Sequence, residues 1–147
     1  MELNVGIKLT SSEVLSLLQF FDDSSDRPLH EGLNFSSYSE KLSRHALFVL
    51  AKDGDELKGF IAYYLNEEGH FVYIPQIVVH KNARHSGLGH MMMTELIESV
   101  ALLNGKYTQI QLEVLNENDN ARNFYSREGF DAVEDRKERL LLISSIK

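Results

Sequence analysis

The segment RHSGLG, at residues 84–89, joins a strand-like stretch to a helix-like stretch and constrains the fold more than any other feature. Upstream, FVYIPQIVV (71–79) is typical of a strand, and downstream apolar residues recur at helical spacing from Leu88 to Leu103. The first amides of a helix have no internal partner, and the helix dipole adds about half a positive charge there. Because Gly87 and Gly89 have no Cβ, a bulky anion can approach this backbone closely. The turn is therefore predicted to bind a phosphate or a pyrophosphate.

The charges around the turn favour the same interpretation. Asp and Glu are absent between Phe71 and Thr94, although the chain carries 22 acids in total. Arg84 supplies a guanidinium whose fork geometry suits phosphate, and Lys81 adds a second cation. Further donors are expected from three polar side chains of the same segment, namely His85, Ser86 and His90. The alternative is a plain strand–helix turn without a ligand.

Other phosphate or metal motifs do not fit this segment. A dinucleotide fingerprint needs a third glycine where Met92 stands, and the G-K-[ST] tripeptide of a P-loop is absent from the chain. His80, His85 and His90 are spaced five apart, so they do not share one helix face, and no metal is expected.

Length and composition limit the number of domains, the class of partner and the location that are expected. The 147 residues suit a single domain spanning 1–147, and the net charge of −7 argues against a nucleic-acid partner. No apolar run approaches the roughly 18 residues of a membrane span, and the N-terminus has no signal-peptide pattern. The chain has no cysteine and hence no disulfide, and a cytoplasmic location is expected.

Hydrophobic periodicity predicts a mixed order of elements: a strand, a helix, a three-stranded meander, then β-α-β-α-β. Thr10 and Glu13 have capping-box spacing at the start of the first helix. Residues 22–37 are predicted to be an irregular loop, and 38–45 a short helix. Asp53-Gly54 is predicted to form a hairpin turn, and residues 139–146 a last strand. In the helix from Leu88 to Leu103, one buried stripe is predicted, consisting of Leu88, Met92, Leu96 and Val100.

A second constellation lies in NENDNARNFYSREGF, residues 116–130. Asn118 or Asn120 is predicted to cap a short helix that Gly129 ends. Asn118, Ala121, Arg122 and Tyr125 are spaced i, i+3, i+4 and i+7, so they share one face of that helix. Phe124 is expected to point away from that face, into the core.

Together the two constellations resemble the GNAT superfamily of acyl-CoA-dependent N-acyltransferases. The cofactor motif of the family, R/Q-x-x-G-x-G/A, is met by Arg84, Gly87 and Gly89. Its later motif, N-x-x-A-x-x-x-Y-x-x-x-G-F, is met by Asn118, Ala121, Tyr125, Gly129 and Phe130. The resemblance covers roughly residues 71–130.

The resemblance implies an α/β (α+β) fold: a central, mostly antiparallel, twisted sheet with splayed strands four and five, flanked by about four helices. It also implies acetyl-CoA as cofactor, with coenzyme A as product. The cofactor-binding residues implied are Ile77, Val78, Val79, Arg84, His85, Ser86, Gly87, Leu88, Gly89, His90, Asn118 and Tyr125.

The reaction implied is transfer of an acetyl group to a primary amine, with Tyr125 as general acid at the thioester sulfur. A small-molecule acceptor is favoured; a protein N-terminus or lysine, and a non-catalytic acyl-CoA-binding module, are the alternatives. An unrelated phosphate-binding fold is a third. The assembly state stays open, with a homodimer among the alternatives.

The general base is the gap in this resemblance. Many relatives carry a glutamate on strand four, two residues before the position of Ile77, where this chain has Pro75. Proline has no basic side chain and no N–H, and it fits a strand at an edge or a bulge. Four other side chains stay open as candidates, namely Tyr73, His30, Glu31 and His80.

Overall fold

The computed structural model describes residues 1–24 and 28–146. This part of the chain contains seven strands and four α-helices. The strands are β1 (Glu2–Ile7), β2 (Leu47–Asp53), β3 (Glu56–Asn66), β4 (Phe71–Val79), β5 (Gln109–Leu115), β6 (Asp131–Arg136) and β7 (Arg139–Ser145). The helices are α1 (Ser11–Phe20), α2 (Phe35–His45), α3 (Leu88–Ala101) and α4 (Asp119–Arg127), with 3₁₀ turns at Leu29–Glu31 and Lys81–Ala83.

The strands form one sheet in the order β1-β2-β3-β4-β5-β7-β6. The pairs β1–β2, β2–β3, β5–β7 and β6–β7 are antiparallel, whereas β4 and β5 are parallel. The predicted α/β fold, with a mostly antiparallel sheet and about four helices, is thereby confirmed. Within the described residues, no helix is long and apolar enough to cross a membrane.

The chain divides into two compact units. Unit 1 comprises Met1–Tyr64 and Gln76–Leu96, and unit 2 comprises Leu65–Pro75 and Ile97–Lys147. The prediction of a single domain over 1–147 stays a prediction.

The core of unit 1 lies between the helices α1 and α2 and one face of β2 and β3. Its largest fully buried side chains include Phe21, Phe48, Phe60, Leu18 and Leu42. Full burial of each such side chain contributes about 1.5–3 kcal/mol. The predicted capping box fixes the start of α1, because Glu13 N–H donates to Thr10 Oγ1 (3.2 Å) and Thr10 N–H donates to Glu13 Oε1 (2.9 Å).

The core of unit 2 follows the alternation of β5. Ile110, Leu112 and Val114 are buried, whereas the residues between them face the other side of the strand. β5 pairs with β7 over seven positions, from Gln109 opposite Ser145 to Leu115 opposite Arg139. This antiparallel pair supports the turn from which α4 begins.

The parallel ladder between β4 and β5 is short. It pairs Phe71, Val72 and Tyr73 with Gln109, Ile110 and Gln111, although β4 has nine residues and β5 has seven. The ladder ends two residues before Pro75, which has no N–H to donate. The pairing recorded between the two strands is thus confined to the first three residues of each.

Several element boundaries differ from the predictions. The predicted order of elements did not include β6. This strand is exposed along its whole length, so its sequence shows no alternation of apolar and polar residues. The segment 22–37 is not wholly irregular, because it contains a 3₁₀ turn and the start of an eleven-residue α2; residues 25–27 lie outside the described part. The helix α3 ends at Ala101, two residues early, and Leu102 is 81% exposed.

Candidate functional site

The glycine turn lies in unit 1, where β4 ends at Val79 and α3 begins at Leu88. The 3₁₀ turn between them is capped by His80, whose Nδ1 accepts a hydrogen bond from Asn82 N–H (3.1 Å). Ser86 Oγ donates to the main-chain oxygen of Ala83, which closes the connection before the helix. The backbone of 80–86 is therefore held by its own polar groups.

Two residues of the turn adopt left-handed backbone conformations. Gly87 has φ 82°, and a Cβ added there would meet nothing within 4 Å. His85 has φ 62°, which is uncommon for a residue with a side chain and costs about 1–2 kcal/mol. A glycine at position 87 is therefore explained by its positive φ and not by a lack of space, because open space lies beside its backbone.

The start of α3 is anchored by close packing within unit 1. Leu88, Met92 and Met93 are buried, and the predicted stripe of Leu88, Met92, Leu96 and Val100 is buried throughout. Gly59 on β3 makes this packing close, because a Cβ there would lie 3.0 Å from Val78 O and 3.0 Å from Met92 Cε. His80 N–H also donates to Lys58 O (2.7 Å). The helix and β4 thus fix the position of the turn between them.

Arg84, a predicted phosphate ligand, also has a partner within the protein. Its guanidinium Nη2 donates to the main-chain oxygen of Ser24, a residue that is only 3% exposed. Beside it, Lys81 Nζ pairs with Asp23 Oδ2 (2.6 Å), and Lys81 N–H donates to Ser24 Oγ (3.4 Å). We call these three contacts the Ser24 tether. It joins the turn after α1 to the segment that precedes the glycine turn.

The acidic residues after α1 are largely engaged within the protein. Asp22 accepts from His30 N–H (2.8 Å) and pairs with His30 Nδ1 (2.7 Å), and these hydrogen bonds lower the pKa of Asp22. The hydrogen bond and charge of Lys81 lower the pKa of Asp23. Two carboxylates of this segment therefore have internal cationic or N–H partners.

The later motif lies in unit 2, at the start of α4. Asn118 is the N-cap, and its Oδ1 accepts a hydrogen bond from Ala121 N–H (3.1 Å). Asn118 thus meets one of its predicted roles, and its side-chain NH₂ group keeps two donors. Arg122 Nη1 donates to Asn116 O (3.0 Å), which ties α4 to the end of β5.

Tyr125 is buried in unit 2, at 7% exposure, whereas Phe124 is only half-buried. The expected placement of Phe124 in the core is therefore wrong, and Tyr125 takes that place. Its ring lies 5.2 Å from the Phe124 ring and 5.7 Å from the Phe130 ring. Burial raises the pKa of Tyr125, and its hydroxyl makes no hydrogen bond within the described residues.

The four candidate bases lie in different environments. The acceptor nitrogen of His80, Nδ1, already binds Asn82 N–H, so the neutral ring carries its proton on Nε2. His30 Nδ1 is paired with Asp22. Burial, and then the charge of Glu113, raise the pKa of Tyr73. Glu31 lies in the first 3₁₀ turn.

Glu113 was missed by the sequence reasoning. It lies on β5 on the polar side of the alternation, which was the signal available in QIQLEVL. Its carboxylate accepts from Arg136 Nη1 (3.1 Å) and interacts with Tyr73 on β4. These three residues form a polar cluster in unit 2, in which Tyr73 and Glu113 are half-buried and Arg136 is exposed. Within the described residues, no group of three or more His, Cys, Asp or Glu residues is placed to hold a metal ion.

The chain belongs to the acetyltransferase (GNAT) family, whose family model matches residues 13–130. None of the curated proteins matches it. Solved structures with the same fold are nonetheless numerous, and their low identity means that they show the fold alone.

Three of these structures are acetyltransferases with different named acceptors or ligands. The PaiA N-acetyltransferase of Thermoplasma acidophilum, in complex with coenzyme A, has 16% identity, a TM-score of 0.77 and 99% coverage of both chains. The ribosomal-protein-S18-alanine N-acetyltransferase of Escherichia coli has 14% identity, a TM-score of 0.79 and coverage of 99% of this chain and 95% of its own. An aminoglycoside 6′-N-acetyltransferase complexed with coenzyme A has 16% identity, a TM-score of 0.76 and coverage of 100% and 98%.

Proposed function

We propose that this protein transfers an acetyl group from acetyl-CoA to the primary amine of an acceptor. One observation carries the proposal: in a chain of the GNAT family, open space lies beside the backbone of Gly87 at the start of α3. A left-handed glycine without neighbours, next to a helix N-terminus, suits a pyrophosphate. The absence of Asp and Glu between Phe71 and Thr94 leaves the positive field there uncancelled.

We infer that the pyrophosphate binds to the backbone and side chains of the turn, which comprises Arg84, His85, Ser86, Gly87, Leu88, Gly89 and His90. The backbone of Ile77, Val78 and Val79 on β4 would hold the pantetheine arm. By family resemblance, Asn118 and Tyr125 belong to the same set of cofactor contacts. The donors left on Asn118 after capping support this role.

The chemistry asks three things of the protein. An amine with a pKa of about 10.4 must be deprotonated, which costs about 4.6 kcal/mol at pH 7. The carbonyl oxygen must be stabilised as charge develops, for which Val78 N–H is our candidate donor. Acetyl-CoA supplies the acetyl group as a thioester with a thiol leaving group, and that thiolate must be stabilised as it leaves.

We assign the third task to Tyr125. A thiol has a pKa of about 8.5 and an ordinary phenol about 10, so complete proton transfer is already uphill. Burial raises the pKa of Tyr125 further and makes complete transfer still less favourable. A hydrogen bond from the Tyr125 hydroxyl to the departing sulfur needs no complete transfer. We therefore propose that Tyr125 acts as a hydrogen-bond donor whose proton moves late.

The acceptor is proposed to be a small-molecule amine, with a protein N-terminus or lysine as the alternative. Asp22 and Asp23 already have partners in His30 and Lys81, so a polycationic protein acceptor would have to compete with these contacts. The non-catalytic acyl-CoA-binding module is favoured by one specific observation, Pro75 at the strand-four position of the base. We also propose that the chain forms a single domain and that the protein is located in the cytoplasm.

The decisive experiment places a large side chain at Gly87. Gly87→Trp fills the open space and is expected to reduce acetyl-CoA binding, measured by calorimetry, beyond detection. Gly54→Trp is the matched control, because Gly54 has φ 63° and equally open surroundings in the β2–β3 hairpin. Both variants carry the same backbone strain, so they are expected to lose similar melting temperature.

Equal acetyl-CoA affinity in the two variants would contradict the cofactor site. Coenzyme A release in the presence of pooled small amines, peptides and aminosugars then tests the reaction. Tight acetyl-CoA binding without turnover on any acceptor would favour the binding module over the enzyme.

A further inference from the structure

A groove of about 560 Å³ lies within unit 1, between α1 and the ends of β2 and β3 next to their hairpin. Five apolar side chains line it, namely Leu9, Leu17, Phe20, Leu50 and Leu57. Phe20 is 49% exposed, an uncommon state for a phenylalanine on a short helix. The volume falls within the range of small-molecule sites, about 300–1,000 Å³, and the apolar lining is typical of them.

The two charged residues of the groove, Lys52 and Glu13, are in different states. The carboxylate of Glu13 accepts the N–H of Thr10 in the capping box, and this hydrogen bond lowers the pKa of Glu13. Lys52 forms no ion pair within the described residues. Glu2 lies opposite Lys52 in the β1–β2 ladder, and its carboxylate accepts a hydrogen bond from Asn4 Nδ2 (3.1 Å). The groove therefore combines an apolar surface with an anionic Glu13, which is held by the capping box, and with Lys52, a cation without an ion-pair partner among the described residues.

We propose that this groove binds an amphipathic carboxylate, with its apolar body against Phe20 and the leucines and its carboxylate at Lys52. An ammonium group would have to share the Glu13 carboxylate with Thr10 N–H and would face the like charge of Lys52. The hydroxyls of Ser12 and Ser16, which also line the groove from α1, can donate to the same carboxylate. The site is separate from the glycine turn and does not depend on acetyl transfer.

The groove nevertheless has a structural link to the segment before the glycine turn. The rings of Phe20 and His80 have centroids 5.4 Å apart, and His80 caps the 3₁₀ turn that leads to Arg84. A ligand that contacts Phe20 is therefore expected to shift the His80 resonances as well as those of the lining leucines. This gives a reporter that does not require enzymatic turnover.

The test is an NMR titration of the whole protein with decanoate below its micelle concentration. Saturable shifts are expected at the methyl groups of Leu50 and Leu57 and at the His80 amide. Decylamine has the same apolar chain with the opposite charge, and it is expected to bind at least several-fold more weakly. No saturable shift with decanoate, or equal affinity for decylamine, would overturn the proposal.

Paired variants separate the site from general adsorption. Lys52→Gln is expected to weaken decanoate binding about fivefold, since an exposed ion pair contributes little more than that. Lys58→Gln on β3, whose lysine pairs with Glu56 (2.9 Å), should leave the affinity unchanged. Phe20→Ala is expected to weaken binding about tenfold, and Leu102→Ala, at the 81% exposed end of α3, should not. Equal effects within either pair would overturn the assignment, and amide spectra of each variant verify the fold.

Discussion

The guanidinium of Arg84 donates a hydrogen bond to the main-chain oxygen of Ser24, although the two residues are 60 positions apart. Ser24 is buried, and the Arg84 guanidinium is a donor that satisfies its carbonyl. A residue that belongs to the cofactor motif by sequence thus also holds the turn after α1. The remaining N–H groups of the guanidinium are the ones that a phosphate can use.

Arg84→Gln is expected to lower the free energy of unfolding by about 1–2 kcal/mol, because a partly buried carbonyl loses a charged donor. Urea denaturation measures this change. Arg127→Gln is the control: Arg127 is exposed in the last turn of α4, and its loss should cost only a few tenths of a kcal/mol. Equal losses in both variants would show that the Ser24 tether does not stabilise the fold.

The ion pair between Asp23 and Lys81 predicts a specific pH dependence. Because the hydrogen bond and charge of Lys81 lower the pKa of Asp23 from 3.8, the stability from this carboxylate is present above that value. It is lost as the pH falls through the lower, folded-state pKa. Melting temperatures of the native chain and Asp23→Asn should therefore differ at neutral pH and converge in strong acid.

A difference that stays constant from neutral pH into strong acid would contradict this assignment. Asp53→Asn is a suitable control, since Asp53 lies at the β2–β3 hairpin and not in the tether. Its melting profile should follow that of the native chain more closely. High salt should reduce the effect of Asp23→Asn, because the pair is solvent-exposed.

Tyr125→Phe separates a catalytic hydroxyl from a structural one. The hydroxyl makes no hydrogen bond within the described residues, so its removal should leave the free energy of unfolding within about 0.5 kcal/mol of the native value. If Tyr125 assists the leaving thiolate, kcat should fall at least about tenfold while the Kd of acetyl-CoA changes little. Steady-state kinetics and calorimetry measure the two quantities. Unchanged turnover would remove Tyr125 from the acid role.

Local sequence signals correctly predicted the helix caps and the hairpin turn, which are formed by residues close together in the sequence. The capping box of Thr10 and Glu13, the hairpin at Asp53-Gly54 and the Asn118 cap all appear where the sequence indicates. Each rests on backbone groups within about four residues, so spacing alone specifies it. The short β4–β5 ladder was anticipated from the family resemblance and not from spacing.

Contacts between distant positions were not predictable in this way. The Ser24 tether and the cluster of Glu113, Tyr73 and Arg136 join elements that only the tertiary fold brings together. The strand β6 escaped detection because it is an exposed edge without a buried face. Tyr125 is buried in place of Phe124, and helical spacing alone did not decide between these two adjacent aromatic residues.

Gly59 offers a test of whether close packing behind the glycine turn matters for cofactor binding. A Cβ at this position would lie 3.0 Å from Val78 O and 3.0 Å from Met92 Cε, so Gly59→Ala requires both the backbone near Val78 and the side chain of Met92 to shift. Overpacking of this kind typically costs about 1–3 kcal/mol of unfolding free energy. Since Val78 precedes the turn and Met92 belongs to α3, a weaker affinity for acetyl-CoA is expected in addition.

Gly32→Ala is the matched control for this prediction. Nothing lies within 4 Å of a Cβ at Gly32, and its φ of −109° is accessible to alanine. The substitution should therefore be neutral, or stabilising by about 0.4–1 kcal/mol through the unfolded chain. Chemical denaturation and acetyl-CoA calorimetry on both variants make the comparison. Native-like stability and affinity in Gly59→Ala would mean that Met92 moves aside freely and that the turn is not held by this contact.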